Sequence, residues 1–428
     1  MDPLAQVARH GGKRKIAKET AWAFASKGAA LAGTYGLLFF LVHRLDVAEF
    51  GRWSYFFSVL LILTQASELG LNTAAKRWFA EARDPRSLGA WIHAAWRLRV
   101  RASAGAGLLT LALALPVARW TGKPWLAGWL LTAAPWVALF GIVEFYKSLF
   151  EAVHRLRLTF QVNLVDNALR LLLCLLVYQA TGSVRAMVLA LGAAALAAAG
   201  SGRLLQNRHL PAAVAGSGAD AGALARYSVP VFFMSVAGFI STEIDTLMIG
   251  GLLDDRATGI FGLPKQLVAF LPHVSVAFTM GAVPALARMA AQADPAARTG
   301  FRRLLGLLAV LYGGLALAGF ALAAWLPREW LPQGYRESVG PFAGLMPYVF
   351  FNALSIFTGT LLNYRGLAGR RFLFLVVTIL LNVTLNRWWI PRFGVTGAAL
   401  ASSVAMMPYF LLNWIQCERM LRPARPSP

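Results

Sequence analysis

Nine ionisable residues interrupt otherwise apolar stretches of this chain: the bases Lys27, Lys147, Arg170 and Lys265, and the acids Glu68, Glu144, Asp166, Glu243 and Asp245. A charge inside an apolar run is costly unless it is paired or faces a wet cavity, so each is a candidate functional group. Spacing suggests partners. At about 1.5 Å per helical residue, Lys27, sixteen residues before His43, and Glu68, sixteen after Arg52, fall at the same depth of two antiparallel helices. That predicts a Lys27–Glu68 pair. The same reasoning sets Glu144 and Lys147 opposite Asp166 and Arg170, and Asp245 opposite Lys265. Two readings stand. These groups are structural ion pairs, or some line a central cavity and hold an anion, for which Lys and Arg supply the charge, or switch between pairings. On the second reading Lys27, Arg170, Lys265 and Arg52 bind substrate, and Glu68, Asp166 and Asp245 serve ion coupling or gating. The acids outnumber the bases, so no cationic cavity is evident from sequence.

Glu243 and Asp245 are two apart, about 200° around a helix, and cannot share one cavity. Asp245 shares a face with Ser241 and Gly238, a small polar stripe. As an acidic pair, Glu243-Ile244-Asp245 would suit a metal–nucleotide sugar, yet it lies in an apolar run with no catalytic domain around it. Buried amides form a second polar set: Asn163 and Asn167, then Asn382 and Asn386, each pair one helical turn apart. Amides in hydrocarbon serve as interhelical glue, and Asn167, Asn382 and Asn386 are also candidates for binding sugar hydroxyls. The second pair opens a run, Leu380 to Ala401, in which Trp388 and Trp389 suit a membrane interface, Pro391 ends the helix, and a turn through Gly394 leads to a small-residue helix start at Gly397.

The elements that must position these groups are membrane helices. Of 428 residues 58% are hydrophobic and only 14% charged, far fewer charges than a soluble domain carries. The net charge of +22 could suggest nucleic acid, but the bases lie between apolar runs rather than on one basic domain, so no nucleic-acid partner is expected. Cys174 and Cys417 are far apart, and the six histidines lack ligand spacing, so neither a disulfide nor a metal site is proposed. Phosphate-loop, zinc-protease and serine-elbow motifs are missing, which argues against an ATP-driven pump or a familiar hydrolase.

About twelve spans are expected, near 21–43, 53–75, 98–118, 125–148, 160–180, 184–205, 228–252, 259–287, 303–326, 341–363, 372–391 and 395–417. The second is interrupted at Glu68-Leu69-Gly70, and the eighth carries Pro264, Pro272 and Pro284. Placing the N-terminus inside puts 27 of the 41 basic residues on the cytoplasmic side and ten on the other, as the positive-inside rule requires. Both termini are then cytoplasmic. The expected layout is a tail (1–20), a six-helix bundle (21–205), a cytoplasmic linker (206–227), a second bundle (228–417) and a tail (418–428). Two echoes support a repeat. Leu45-Asp46 with Gly51 and Trp53 returns 208 residues later as Leu253-Asp254 with Gly259 and Phe261. Gly182 and Ala186 return 212 residues later as Gly394 and Ala398. Halves with an even number of spans share one orientation.

Several local motifs carry a family likeness. Besides the Leu380–Ala401 run, they are Tyr227-Ser228-Val229-Pro230, Glu243 to Gly250, Thr258-Gly259-Ile260-Phe261, Glu49-Phe50-Gly51 and Leu69-Gly70-Leu71. Together they resemble the Wzx-type polysaccharide flippases of the multidrug/oligosaccharidyl-lipid/polysaccharide exporter superfamily. The resemblance implies an all-α, V-shaped polytopic membrane protein of two six-helix bundles related by a pseudo-two-fold. It also implies alternating access in a bacterial inner membrane and an undecaprenyl-diphosphate-linked oligosaccharide as cargo, with membrane lipids, a polysaccharide polymerase and chain-length proteins as partners. No cofactor is expected; a proton gradient, a sodium gradient and the membrane potential are all open as driving forces. The rival readings are a cation-coupled multidrug exporter of the same superfamily, a membrane glycan polymerase or ligase, and a membrane scaffold. The polymerase or ligase is disfavoured because the largest outer connection, Pro327 to Gly340, is short for a catalytic loop.

Overall fold

The computed structural model of the chain describes residues 12–82, 84–212, 220–292, 294–323, 325 and 333–422. Among them there is no strand. The helices are α1 Gly12–Arg44, α2 Val47–Glu68, α3 Leu71–Glu81, α4 Pro85–Trp120, α5 Pro124–Ala152, α6 Leu156–Thr181, α7 Val184–His209, α8 Ala221–Leu252, α9 Asp255–Val268, α10 Pro272–Ala291, α11 Ala296–Ala323, α12 Val339–Gly344, α13 Met346–Tyr364 and α14 Ala368–Met420. Ten helical segments among the described residues are long and apolar enough to cross a membrane, and the bent pair of α13 with the short helices before it makes an eleventh.

The 53-residue α14 supplies two crossings rather than one. Gly394 has φ 59° and ψ −144°, outside helical geometry. Asn382 Nδ2 donates to Ser402 Oγ at 3.3 Å, and Arg371 Nε donates to the Tyr409 hydroxyl at 3.1 Å. In a straight helix those partners would stand about 30 and 57 Å apart. The arms 368–393 and 395–420 therefore run antiparallel, and counting them separately takes the candidate crossings among the described residues from eleven to twelve. The helix does not end at Pro391, where sequence placed its stop. It runs on to Phe393 and turns at Gly394, the residue free to take positive φ.

Both repeat echoes have a structural meaning. Asp46 and Asp254 each cap a helix, accepting from the amides of Glu49 and Ala257 at 2.7 Å. Gly182 and Gly394 both carry positive φ at the turn between a pair of helices.

The chain divides into two compact units. The first comprises residues up to Leu41 together with Val59–Phe239, and the second comprises Val42–Ser58 together with Ile240 onward. The turn between α1 and α2 thus belongs to the second unit, and α2 and α8 each have residues in both units. Of the linker expected at 206–227, its two ends are helical, in α7 to His209 and α8 from Ala221, while 213–219 lie outside the described residues. In the second unit the core is built of Phe261, Phe301, Tyr312, Met346, Val349, Phe357 and their neighbours.

Proline breaks are repaired locally. Pro264 lacks an N–H, so the Ile260 carbonyl four residues back loses its helical donor; the Ser338 hydroxyl donates to it at 2.8 Å. Between α9 and α10 the Tyr312 hydroxyl donates to the Leu271 carbonyl at 2.7 Å and accepts from the Ser275 amide at 2.9 Å. This answers the orphaned groups that a broken span leaves in hydrocarbon.

Candidate functional site

In the second unit, two carboxylates of α8 anchor a buried polar network. Glu243 and Asp245 point to different partners, as their spacing requires. Glu243 Oε2 accepts from the Lys265 ammonium at 2.5 Å and from the Ser58 hydroxyl at 2.6 Å. Lys265 also donates to Thr246 Oγ1 at 2.9 Å. Asp245 accepts from Asn386 Nδ2 at 2.6 Å and from the hydroxyl of Ser402. Asn386 donates in addition to Asn382 Oδ1 at 3.0 Å, closing a ring of α8 with the two arms of α14. Asp245, Asn382, Asn386 and Ser402 are all buried. Lys265 keeps 22% and Glu243 11% of its side chain accessible, so the ion pair lies at the open edge of the network. Tyr348 stands close enough to feel both carboxylates.

The expected pairing of Lys265 with Asp245 is therefore corrected. The ammonium reaches across to Glu243, while two amides and a hydroxyl solvate Asp245. Asn382 and Asn386, taken as glue or sugar ligands, hold an aspartate. Arg52 pairs with Asp255 at 3.0 Å in the same unit, near the starts of α2 and α9.

The first unit holds the other candidates. Lys27 is exposed on α1 and is not brought to Glu68. Glu68 instead accepts from Asn72 Nδ2 at 3.1 Å and has Glu144, Arg99 and Lys76 as its charged neighbours. The geometry fails because α2 breaks at Leu69 and Gly70, whose φ values are 43° and 67°, turning Glu68 towards α3 and α4. Glu144 and Lys147 do not face Asp166 and Arg170 as expected. Each pair closes within its own helix, Lys147 with Glu144 at i,i+3 and Arg170 with Asp166 at i,i+4 (2.7 Å). Asn167 donates to the Asn163 carbonyl at 2.8 Å and packs where a β-carbon at Gly33 would sit, while Asn163 donates to Ser26 at 2.6 Å. That pair of amides joins α6 to α1.

Sequence reasoning missed Arg99, which stands at the very edge of the span expected at 98–118. It is fully buried in α4. Nη1 donates to the Ser67 carbonyl at 2.6 Å and Nη2 to Asn72 Oδ1 at 2.5 Å, so the guanidinium caps the broken end of α2 and ties it to α3. Gly141 lets it fit, since a β-carbon there would meet Ser103 Oγ, Ser67 Oγ and Arg99 Nη1. The available signal was the small polar face that continues from it, Ser103, Gly107 and Thr110.

The comparisons with known proteins follow this geometry. An inward-facing multidrug resistance MATE transporter of the MOP superfamily superposes with a TM-score of 0.78 at 10% identity, over 94% of this chain and 100% of its own. The lipid II flippase MurJ, in an inward closed conformation, gives 0.71 at 10% identity over 93% of this chain and 87% of its own. The Vibrio cholerae MATE transporter VcmN gives 0.63 at 13% identity over 94% and 98%. The chain thus has the all-helical, multi-pass membrane fold of the MOP superfamily, the superfamily named by the resemblance. Within it, the family model for polysaccharide biosynthesis protein matches residues 16–290, well over half the length, and the chain belongs to that family. No curated protein sequence matches.

Proposed function

We propose that the chain translocates a polyprenyl-diphosphate-linked oligosaccharide across the bacterial inner membrane by alternating access, with both termini cytoplasmic. The observation that carries this reading is Lys265, a partly accessible ammonium set in a membrane helix and backed by a carboxylate. Lys and Arg donors are the groups that recognise a diphosphate. Family membership and the likeness to a lipid II flippase support it. In the same unit Arg52, paired with Asp255, serves as a further contact for the anionic cargo.

Coupling belongs to Asp245. Its carboxylate accepts from the Asn386 amide nitrogen and the Ser402 hydroxyl, while the buried Asn386 Oδ1 finds no hydrogen-bond partner among the described residues. These oxygens are the ligand type a hard monovalent cation takes, and the carboxylate is an equally good seat for a proton. The second reading, a cation-coupled drug exporter, is favoured by the MATE likeness. Proteoliposomes decide between them. Flipping of a defined polyprenyl-diphosphate sugar that depends on Lys265 supports the first reading; uptake of cationic drugs with no glycolipid flipping replaces it with the second.

A further inference from the structure

Glu243 has no place in substrate binding or coupling as set out above, yet it holds the most accessible cation of the network. One oxygen, Oε2, takes both the Lys265 ammonium and the Ser58 hydroxyl. Asp245 has its own donors in Asn386 and Ser402, so Lys265 is not needed to stabilise it. The ammonium is balanced by Glu243.

The Ser58 hydroxyl has one proton and two acceptors within reach, Glu243 Oε2 at 2.6 Å and the Ser54 carbonyl at 3.0 Å. It can serve either without moving the backbone. Ser58 is also the last residue of α2 that belongs to the second unit; Val59 belongs to the first.

We propose that Glu243 is an intramolecular counter-anion that occupies Lys265 between substrates and yields it to the arriving diphosphate. The inference rests on the reading of Lys265 as the diphosphate ligand. A diphosphate brings more charge and more acceptor oxygens than one carboxylate, so it displaces Glu243 from the ammonium. The displaced carboxylate keeps the Ser58 proton. That hydrogen bond spares it the cost of a buried, unpartnered charge. Binding thereby leaves Ser58 of α2 as the one donor among the described residues that holds the α8 carboxylate, at the residue where α2 leaves the second unit. The same competition excludes weaker anions, because a monovalent anion offers Lys265 no more than Glu243 already does.

Binding of farnesyl diphosphate and of inorganic pyrophosphate to the purified full-length protein tests this, by titration calorimetry in detergent. Glu243→Gln removes the competitor and should tighten both probes by about tenfold. Ser58→Ala leaves the displaced carboxylate without a donor and should weaken both several-fold, although Ser58 is assigned no contact with the ligand. Lys265→Gln, alone or with Glu243→Gln, should abolish binding. Unchanged or weaker binding by Glu243→Gln, with Lys265→Gln still impaired, overturns the counter-anion while leaving Lys265 as ligand. Should Glu243→Gln fail to fold, Ser58→Ala decides, and binding at wild-type strength or better overturns the proposal. Wild-type binding by Lys265→Gln overturns both the proposal and the reading beneath it. Tightening seen for farnesyl diphosphate alone assigns the site to lipid-borne diphosphate; tightening of both assigns it to the diphosphate group itself.

Discussion

Gly51 and Gly259 lie back to back in the second unit. A β-carbon on Gly51 would strike the carbonyl of Asp255 and the amide of Gly259; one on Gly259 would strike the carbonyl of Val47 and the amide of Gly51. The two glycines occupy the same place in the repeat, five residues after capping aspartates Asp46 and Asp254. The contact is therefore a near-symmetric crossing of two helix starts, extended along α2 by Ser54 against Gly262 and Tyr55 against Gly250. Alanine at either position must push the backbones apart, at the about 1–3 kcal/mol typical of overpacking. The expected result is a lowered melting temperature for each single variant. The double variant should cost less than the sum, since one separation relieves both clashes. Wild-type melting in both singles would show that α2 and α9 do not need this approach.

Arg99 should be among the least replaceable residues of the first unit. Arg99→Ala leaves the Ser67 carbonyl and Asn72 without their donor and removes the base beside Glu68 and Glu144. Losing one member of a buried charged cluster costs about 3–5 kcal/mol. Arg99→Lys should recover little, because a single ammonium cannot reproduce the two-pronged donation. Folded yield and melting temperature check this; an alanine variant with normal yield would refute the capping role.

The Lys27–Glu68 charge swap separates the structure from the expectation based on depth. Lys27 is exposed on α1, and Glu68 is held by Asn72 beside Arg99. Lys27→Glu alone should be tolerated in folding. Glu68→Lys should be damaging, by setting a second cation beside Arg99, and the double should not restore it. Recovery of transport in the swapped protein would reinstate the pair.

How these assignments failed and succeeded has a physical pattern. Depth along a helix follows from counting, so the spans, both repeat echoes and the break at Leu69-Gly70 were legible in the sequence. The azimuth of a side chain follows from counting only within one helix. That is why the opposition of Glu243 and Asp245 was foreseen, whereas the partner of Lys265 was not: Glu243 and Asp245 sit at nearly one depth, and only the rotation of α8 against α9 decides between them. Arg99 was invisible for another reason. A span expected to begin at 98 leaves Arg99 at its edge, and the residue becomes interior only because the 36-residue α4 begins at Pro85. That residues 47–58 of α2 belong to the second unit shows only in contacts distant in sequence, such as Tyr55 against Gly250.

Asp245 should couple the protein to a cation. If sodium or lithium binds its oxygen cluster, either salt should raise the melting temperature relative to choline chloride, by an amount set by mass action, about 2.7 kcal/mol at a hundredfold excess over Kd. Asn386→Ala and Asp245→Asn should both abolish the shift, the first by deleting an amide ligand and the second by removing the charge. A proton-coupled protein would show instead a pH-dependent shift, lost in Asp245→Asn and indifferent to salt identity. Melting that responds to neither sodium, lithium nor pH would remove Asp245 from coupling.

The repair of the Pro264 kink gives a prediction whose sign depends on hydrogen-bond bookkeeping alone. Pro264 takes the helical donor from the Ile260 carbonyl, and the buried Ser338 hydroxyl supplies the replacement at 2.8 Å. Ser338→Ala should strand that carbonyl and cost about 1–3 kcal/mol, the penalty for an unsatisfied buried acceptor. Pro264→Ala restores an N–H at the position that serves Ile260 in a regular helix. In its presence Ser338 is redundant, so Ser338→Ala should cost markedly less in the Pro264→Ala background than in the native one. A double-mutant cycle of melting free energies measures the difference directly. Equal costs in both backgrounds would mean that α9 stays kinked without its proline. The bend would then be imposed by the packing of Phe261 and its neighbours, and the hydroxyl would remain the only donor the carbonyl has.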